Sequence, residues 1–138
     1  MKKFLFLLLS LVISYSYSQI EDPVSWTFSV ETIDVETYNL VIDADIENGW
    51  NVYSQHVDPD GPIPTTFSFF EHDGYKLIDS VSESNTNTKF DPVFQMTLSS
   101  FQETAVFKQK VKLIDDTLSV IKGELEFMVC NATMCLPP

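Results

Sequence analysis

Most of the chain alternates between apolar and polar residues with a period of two. The clearest segments are 24–30, 38–46 and 107–113, each with large apolar side chains on one face and Ser, Thr, Asn, Asp or Lys on the other. Such alternation is typical of β-strands that bury one face and expose the other. Shorter strands are predicted at 50–54, 66–70, 75–81 and 93–98, and a last one from 118 to 130 with an irregularity at Gly123.

Turn-forming residues separate these segments, at positions 47–49, 58–62, 72–74 and 115–116. Seven or more short strands in a single domain, without a long segment of helical periodicity, predict an all-β fold. At this spacing the expected architecture is an immunoglobulin-like antiparallel β-sandwich. The polar run over residues 82–88 is the longest stretch without core residues, and we expect a mobile loop there.

The first 18 residues follow a different pattern. Two lysines precede an apolar stretch over residues 4–13, and a small-x-small site at residues 16–18 precedes Gln19. This order predicts a cleaved secretory signal peptide over residues 1–18 and a mature domain over residues 19–138. We therefore expect a periplasmic or secreted location, where thiols can oxidise.

The charge of the chain limits its partners. It has 20 acidic residues and 8 basic ones, and removal of Lys2 and Lys3 with the signal leaves a formal charge of −14. Such a surface repels phosphate backbones and anionic lipid headgroups, so nucleic acid is excluded as a partner. The acidity otherwise indicates solubility.

Candidate chemistry is concentrated in the only two cysteines, Cys130 and Cys135. A bridge between them closes a very short loop, which stabilises a fold by roughly 2 kcal/mol in the chain-entropy estimate, against nearly 5 for about a hundred residues. The pair is therefore either a local structural clip or a reversible dithiol. Half of a metal site is a third interpretation, but zinc needs two further ligands and only His56 and His72 are available. We expect no metal and no cofactor.

The period of two also predicts where the first cysteine lies. Leu125, Phe127 and Val129 share one face, and Cys130 shares the other with Met128 and two glutamates. The pattern favours an accessible sulfur, or one under a surface loop, over a core sulfur, unless a bulge reverses the register. The glutamates disfavour a thiolate, so we expect a dithiol that reacts when a partner supplies the activated thiolate.

Four stretches of the sequence resemble the N-terminal periplasmic domain of DsbD, the thiol:disulfide interchange protein, in its Bacteroidetes-like version. They are NGWNVYSQ at 48–55, GPIPTTFSF at 61–69, FKQKV at 107–111 and GELEFMVCNATMCLPP at 123–138. The resemblance covers Val24 to Pro138. Its most specific parts are Gly-Trp-x-x-Tyr-Ser, Gly-Pro-Ile-Pro and Cys-x4-Cys-Leu-Pro-Pro.

This resemblance implies a sandwich without a cofactor that acts as a component of a protein-disulfide reductase. It would pass reducing equivalents from thioredoxin-like proteins or domains to periplasmic disulfide-bearing proteins. Cys135 is implied to form the mixed disulfide and Cys130 to resolve it. The family also shields its disulfide with a cap loop that carries an aromatic residue, for which Phe90 is the candidate, with Trp50 and Tyr53 as candidate walls of the site.

The sequence departs from the family pattern in two ways. Asn51 stands where relatives often carry histidine or an aromatic residue. The family also continues beyond Leu-Pro-Pro into a closing strand and then a membrane-embedded domain, and that closing strand is not found in this sequence. We expect either a fragment, with a membrane-embedded DsbD partner, or a free-standing module that pairs its last strand differently, with Cys135 on a loose tail. The alternative function is a secreted β-sandwich that binds a protein or glycan and keeps a passive disulfide.

Overall fold

The computed structural model describes residues 21–138, so the predicted signal peptide lies outside the described residues. The described chain forms eleven strands in three antiparallel sheets. The strands are β1 (Val24–Thr32), β2 (Thr37–Ile46), β3 (Asn51–Tyr53), β4 (Thr66–Phe69), β5 (Tyr75–Glu83), β6 (Asn87–Asp91), β7 (Met96–Phe101), β8 (Thr104–Leu113), β9 (Gly123–Glu126), β10 (Val129–Cys130) and β11 (Cys135–Leu136). No stretch within residues 21–138 forms a helix with the length and hydrophobicity that crossing a membrane requires.

The first sheet has the strand order β1-β2-β8-β5 and contains the long alternating segments. β1 and β2 pair in continuous register over nine residues, from Val24 opposite Ile46 to Thr32 opposite Tyr38. β5 pairs with β8 less regularly, because a register shift falls between its residues 78 and 82. At that shift the buried Gln109 side chain donates hydrogen bonds to backbone carbonyls of β5, so the irregularity leaves those polar groups satisfied.

The second sheet has the order β11-β10-β3-β7-β6 and packs against the first. The main core lies between them and consists of buried apolar side chains from both sheets. The first sheet contributes Ile42, Ala44 and Phe107, and the second contributes Val52, Phe101 and Val129. The two-stranded β4-β9 sheet adds Phe67, whose ring centroid lies 4.9 Å from that of Phe107. The predicted antiparallel sandwich is confirmed.

Three predicted elements differ from the observed ones. The expected mobile loop over residues 82–88 is wrong over most of its length, because β5 continues to Glu83 and β6 begins at Asn87. Glu83 accepts hydrogen bonds from the Ser54 hydroxyl (2.5 Å) and the Gln55 backbone N–H (2.9 Å), which fix the end of β5 to the segment after β3. The strand expected at 93–98 begins only at Met96, after a turn.

The long strand expected from residue 118 is also shorter than predicted, because β9 begins at Gly123. Gly123 is paired with Phe69 rather than marking an irregularity inside a strand. A Cβ atom at Gly123 would lie 2.5 Å from the carbonyl oxygen of Ser68. The glycine is therefore required by the close approach of β4 and β9.

Candidate functional site

The two cysteines lie opposite each other on the short hairpin formed by β10 and β11. Their Cα atoms are 4.0 Å apart and their Sγ atoms form a disulfide bond. The Asn131 side chain closes the turn, since its Oδ1 accepts hydrogen bonds from the backbone N–H groups of Thr133 (2.9 Å) and Met134 (3.0 Å). The expectation that Cys135 lies on a loose tail is wrong, because backbone pairing with β10 holds it in a strand.

β10 also pairs with β3, so the hairpin is attached to the second sheet. In this pairing Cys130 lies opposite Asn51, whose side-chain Nδ2 donates to the carbonyl oxygen of Cys130 at 3.3 Å. The Oδ1 of Asn51 accepts a hydrogen bond from Gln102 Nε2 at 2.8 Å. Asn51 thus fixes the backbone of Cys130, a positioning role for which its sequence context gave no signal.

The predicted face of Cys130 is confirmed, and of the two expected surroundings the structure shows a sulfur buried outside the main core rather than an accessible one. Phe127 and Val129 pack into the main core, whereas Met128 and Cys130 lie on the opposite face of the sheet. Cys130 is nevertheless only 2% exposed, and Cys135 is half-buried. The sulfur lies outside the main core and is buried there by other segments of the chain.

Those segments form a second, smaller cluster around the disulfide. Its buried members are Tyr53, Leu98 and Cys130, and its half-buried members are Val57, Phe94, Met96, Met128 and Cys135. We call these eight residues the disulfide cluster. Val57 and Phe94 come from the connections after β3 and after β6. Two loops therefore contribute to the cluster that contains the cysteine pair, and loops can move more readily than the strands of the main core.

A hydrogen-bonded pair holds one of these loops in place. The Tyr53 hydroxyl donates to Asp91 Oδ2 at 2.8 Å, and Asp91 Oδ1 accepts from the backbone N–H groups of Val93 (2.8 Å) and Phe94 (3.2 Å). The Phe94 ring stands edge-to-face on Tyr53, with centroids 5.8 Å apart. Burial, and then the hydrogen bond to Asp91 and its charge, raise the pKa of Tyr53, so the hydroxyl stays protonated and continues to donate.

The structure brings only one of the three predicted aromatic residues to the disulfide. Tyr53 belongs to the disulfide cluster, whereas Trp50 is buried in the main core on the other face of the second sheet. Phe90 is 59% exposed and lies opposite Thr97, on the other face of the sheet from its neighbour Asp91. Phe94 is the aromatic residue that sequence reasoning missed. Its only signal was its position two residues after Pro92, in the turn that follows Asp91.

Comparisons with known proteins bear on the family and the fold of this chain. The family model described as thiol:disulfide interchange protein DsbD, N-terminal, matches residues 19–138. A similar solved structure is the crystal structure of the N-terminal periplasmic domain of ScsB from Proteus mirabilis, with a TM-score of 0.62 and 10% sequence identity. That match covers 84% of this chain and 43% of the other, so this chain spans less than half of that structure. No curated protein matches the sequence.

The structural likeness shows a shared fold, and the prediction of an all-β immunoglobulin-like sandwich is confirmed. The cysteine hairpin lies inside the matched range, at its carboxyl end. Since the family model matches all but the first 18 residues, this chain belongs to the family of the N-terminal domain of the thiol:disulfide interchange protein DsbD.

Proposed function

We propose that this chain is a periplasmic thiol–disulfide exchange module that takes reducing equivalents from a thioredoxin-like donor and passes them to oxidised partner proteins. The observation that carries the proposal is the position of the Cys130–Cys135 bond on the outer face of the second sheet, outside the main core. A bond in that position opens without exposing the main core. Membership of the family and the predicted signal peptide support the periplasmic location.

The unequal burial of the two cysteines supports distinct roles for them. Exchange requires a thiolate to approach a sulfur along an open path, and Cys135 is half-buried whereas Cys130 is buried. In the reduced module, the Cys135 thiolate attacks the partner's disulfide and releases one partner thiolate. Cys130 then attacks the Cys135 sulfur of the mixed disulfide, releases the second partner thiolate and closes the Cys130–Cys135 bond, so two electrons reach the partner.

The loops over the disulfide support a protected resting state. Phe94 packs against the cluster that contains Cys130, and the turn that carries it is fixed by Asp91 and Tyr53. Phe94, rather than Phe90, is therefore our candidate for the aromatic cover. A partner must displace this cover or its neighbours to reach the half-buried sulfur of Cys135. Small thiols, which bind too weakly to offset that cost, should react slowly.

The proposal is tested by trapping the mixed disulfide. Cys130→Ser leaves a single thiol at Cys135, and this variant should form a covalent complex with a thioredoxin-like protein whose own resolving cysteine is replaced by serine. The matched variant Cys135→Ser leaves the buried thiol and should trap much less. If neither variant forms a complex while both are folded, the disulfide is a passive clip and the module acts by binding alone.

A further inference from the structure

Every sulfur atom of the described residues lies in or beside the disulfide cluster. The methionines of residues 21–138 are Met96, Met128 and Met134, and the cysteines are Cys130 and Cys135. Met96 and Met128 pack against the cluster, and Met134 directly precedes Cys135 in the hairpin turn. The main core contains no methionine among its described members. The methionines of residues 21–138 are thus concentrated around the disulfide rather than spread through the main core.

Reduction of the disulfide would turn this group into a set of soft ligands. Thiolate and thioether sulfurs select soft ions such as Cu(I), whereas zinc sites are completed by further cysteine, histidine or carboxylate ligands. Within residues 21–138 no group of three or more His, Cys, Asp or Glu side chains is placed to hold a metal ion. The residues around the cysteine pair therefore suit a thiophilic ion and offer no complete set of ligands for zinc.

The geometry of the strands favours one methionine as the third ligand. Met128 lies two residues before Cys130 on the same face of the sheet, and both belong to the disulfide cluster. Met134 is 45% exposed, lies in the hairpin turn before β11 begins, and is not a member of the disulfide cluster. The Sδ of Met96 would lie 3.2 Å from a Cβ at Gly61, so that sulfur is packed against the loop that follows β3.

We infer that the reduced form binds one soft monovalent ion, such as Cu(I), through the thiolates of Cys130 and Cys135 and the thioether of Met128. The two cysteines lie opposite each other on paired strands with Cα atoms 4.0 Å apart, which holds both sulfurs near one ion. Binding replaces two S–H bonds with two metal–sulfur bonds and releases two protons to solvent, and no electrons are transferred. The inference rests on the proposed function, because the disulfide form has no thiolate to offer.

The test is an anaerobic titration of the reduced domain with Cu(I) in competition with a chromogenic Cu(I) chelator. Reduced wild type should withhold one Cu(I) per chain from the chelator, and the disulfide form should withhold none. Met128→Leu conserves volume but removes the thioether, and should raise the Kd by about 10–100-fold, as much as losing an outer-shell partner of a metal site. The same substitution at Met134 should change the Kd less than about twofold. Excess Zn(II) should not displace the bound Cu(I).

A thiol count made before the titration separates this inference from the function on which it rests. If fewer than two free thiols appear after reduction of the folded domain, the exchange function itself fails, and the inference fails with it. If two thiols appear but no Cu(I) is withheld, only the inference is overturned. Equal Cu(I) affinity of wild type and Met128→Leu overturns the assignment of the third ligand, and displacement by Zn(II) overturns the selectivity.

Discussion

Replacement of Phe94 by alanine is the most direct test of how the disulfide is protected. The substitution removes the ring that stands edge-to-face on Tyr53 and packs against the cluster containing Cys130. The hydrogen bond that the Phe94 backbone N–H donates to the Asp91 carboxylate does not involve the ring and is retained. The variant should therefore lose the aromatic cover while it keeps the turn that carries it.

The size of the effect follows from the burial of the ring. Full burial of a phenylalanine side chain stabilises a fold by about 1.5–3 kcal/mol, and Phe94 is half-buried, so its burial is worth about 1 kcal/mol. The edge-to-face pair adds about 0.5–1.5 kcal/mol. The domain should lose about 2 kcal/mol of unfolding free energy. If about 1.4 kcal/mol of this keeps the loop closed, the open fraction rises about tenfold.

The assay measures the rate at which excess dithiothreitol reduces the disulfide. Samples are quenched with an alkylating reagent, and the alkylated and oxidised forms are quantified by mass spectrometry. Phe94→Ala should be reduced about ten times faster than wild type under conditions where both are folded. Phe90→Ala is the matched control, because Phe90 is exposed on the other face of the sheet. It should change the rate by less than about twofold and the stability by less than about 0.5 kcal/mol.

Two results would refute this reasoning. Unchanged reduction of Phe94→Ala would show that the ring does not limit access to the sulfurs. Faster reduction of Phe90→Ala than of Phe94→Ala would show that the loop after β6 rearranges so that Phe90 is the cover, as the family resemblance first suggested.

Three further predictions concern the fold around the site. Tyr53→Phe should lower the free energy of unfolding by about 1–2 kcal/mol at neutral pH, because it removes the hydrogen bond to Asp91. Because the fold raises the pKa of Tyr53, the free energy of unfolding of the wild type should fall as the pH rises above about 10. In urea unfolding, the free energy of unfolding of Tyr53→Phe should fall less over the same pH range. Gly123→Ala should lower the free energy of unfolding, measured by urea titration, by about 1–3 kcal/mol, because its Cβ would meet the Ser68 carbonyl oxygen. Gly49→Ala should lower it by about 1 kcal/mol, because the φ of Gly49 is positive although a Cβ there meets no atom within 4 Å. Gln109→Leu should lower the free energy of unfolding, measured by thermal denaturation, by about 2–3 kcal/mol. The substitution removes the donor to the carbonyl oxygens of Ile78 and Asp79 at the register shift.

The sequence alone was enough to predict the long strands and the face on which Cys130 lies. Both follow from the period of two, which the backbone imposes on any half-buried strand. The alternation from Leu125 to Cys130 persists even though the strand pairing is interrupted between Glu126 and Val129. The face of Cys130 was therefore predicted correctly although the extent of the strand was not.

The cover over the disulfide was not predictable in the same way. Whether Phe90 or Phe94 reaches the cluster depends on the register of β6 against β7, which is set by a turn with no apolar periodicity. Burial of Cys130 likewise depends on the segment around Val57, which is distant in sequence. The extended form of residues 82–83 rests on pairing with β8, where Ser82 lies opposite Lys108 and Glu83 opposite Phe107, and Glu83 also accepts hydrogen bonds from the segment after β3. Such non-local contacts leave no local pattern.

The place of β11 at the edge of its sheet has a consequence for recognition. Within residues 21–138, β11 pairs only with β10, and no described strand pairs with its outer side. A partner that lays an extended segment along this edge would bring its own cysteine beside Cys135 through main-chain bonds, whatever its side chains. For the exchange module proposed above, such an edge would let partners that share no common sequence bind in the same way.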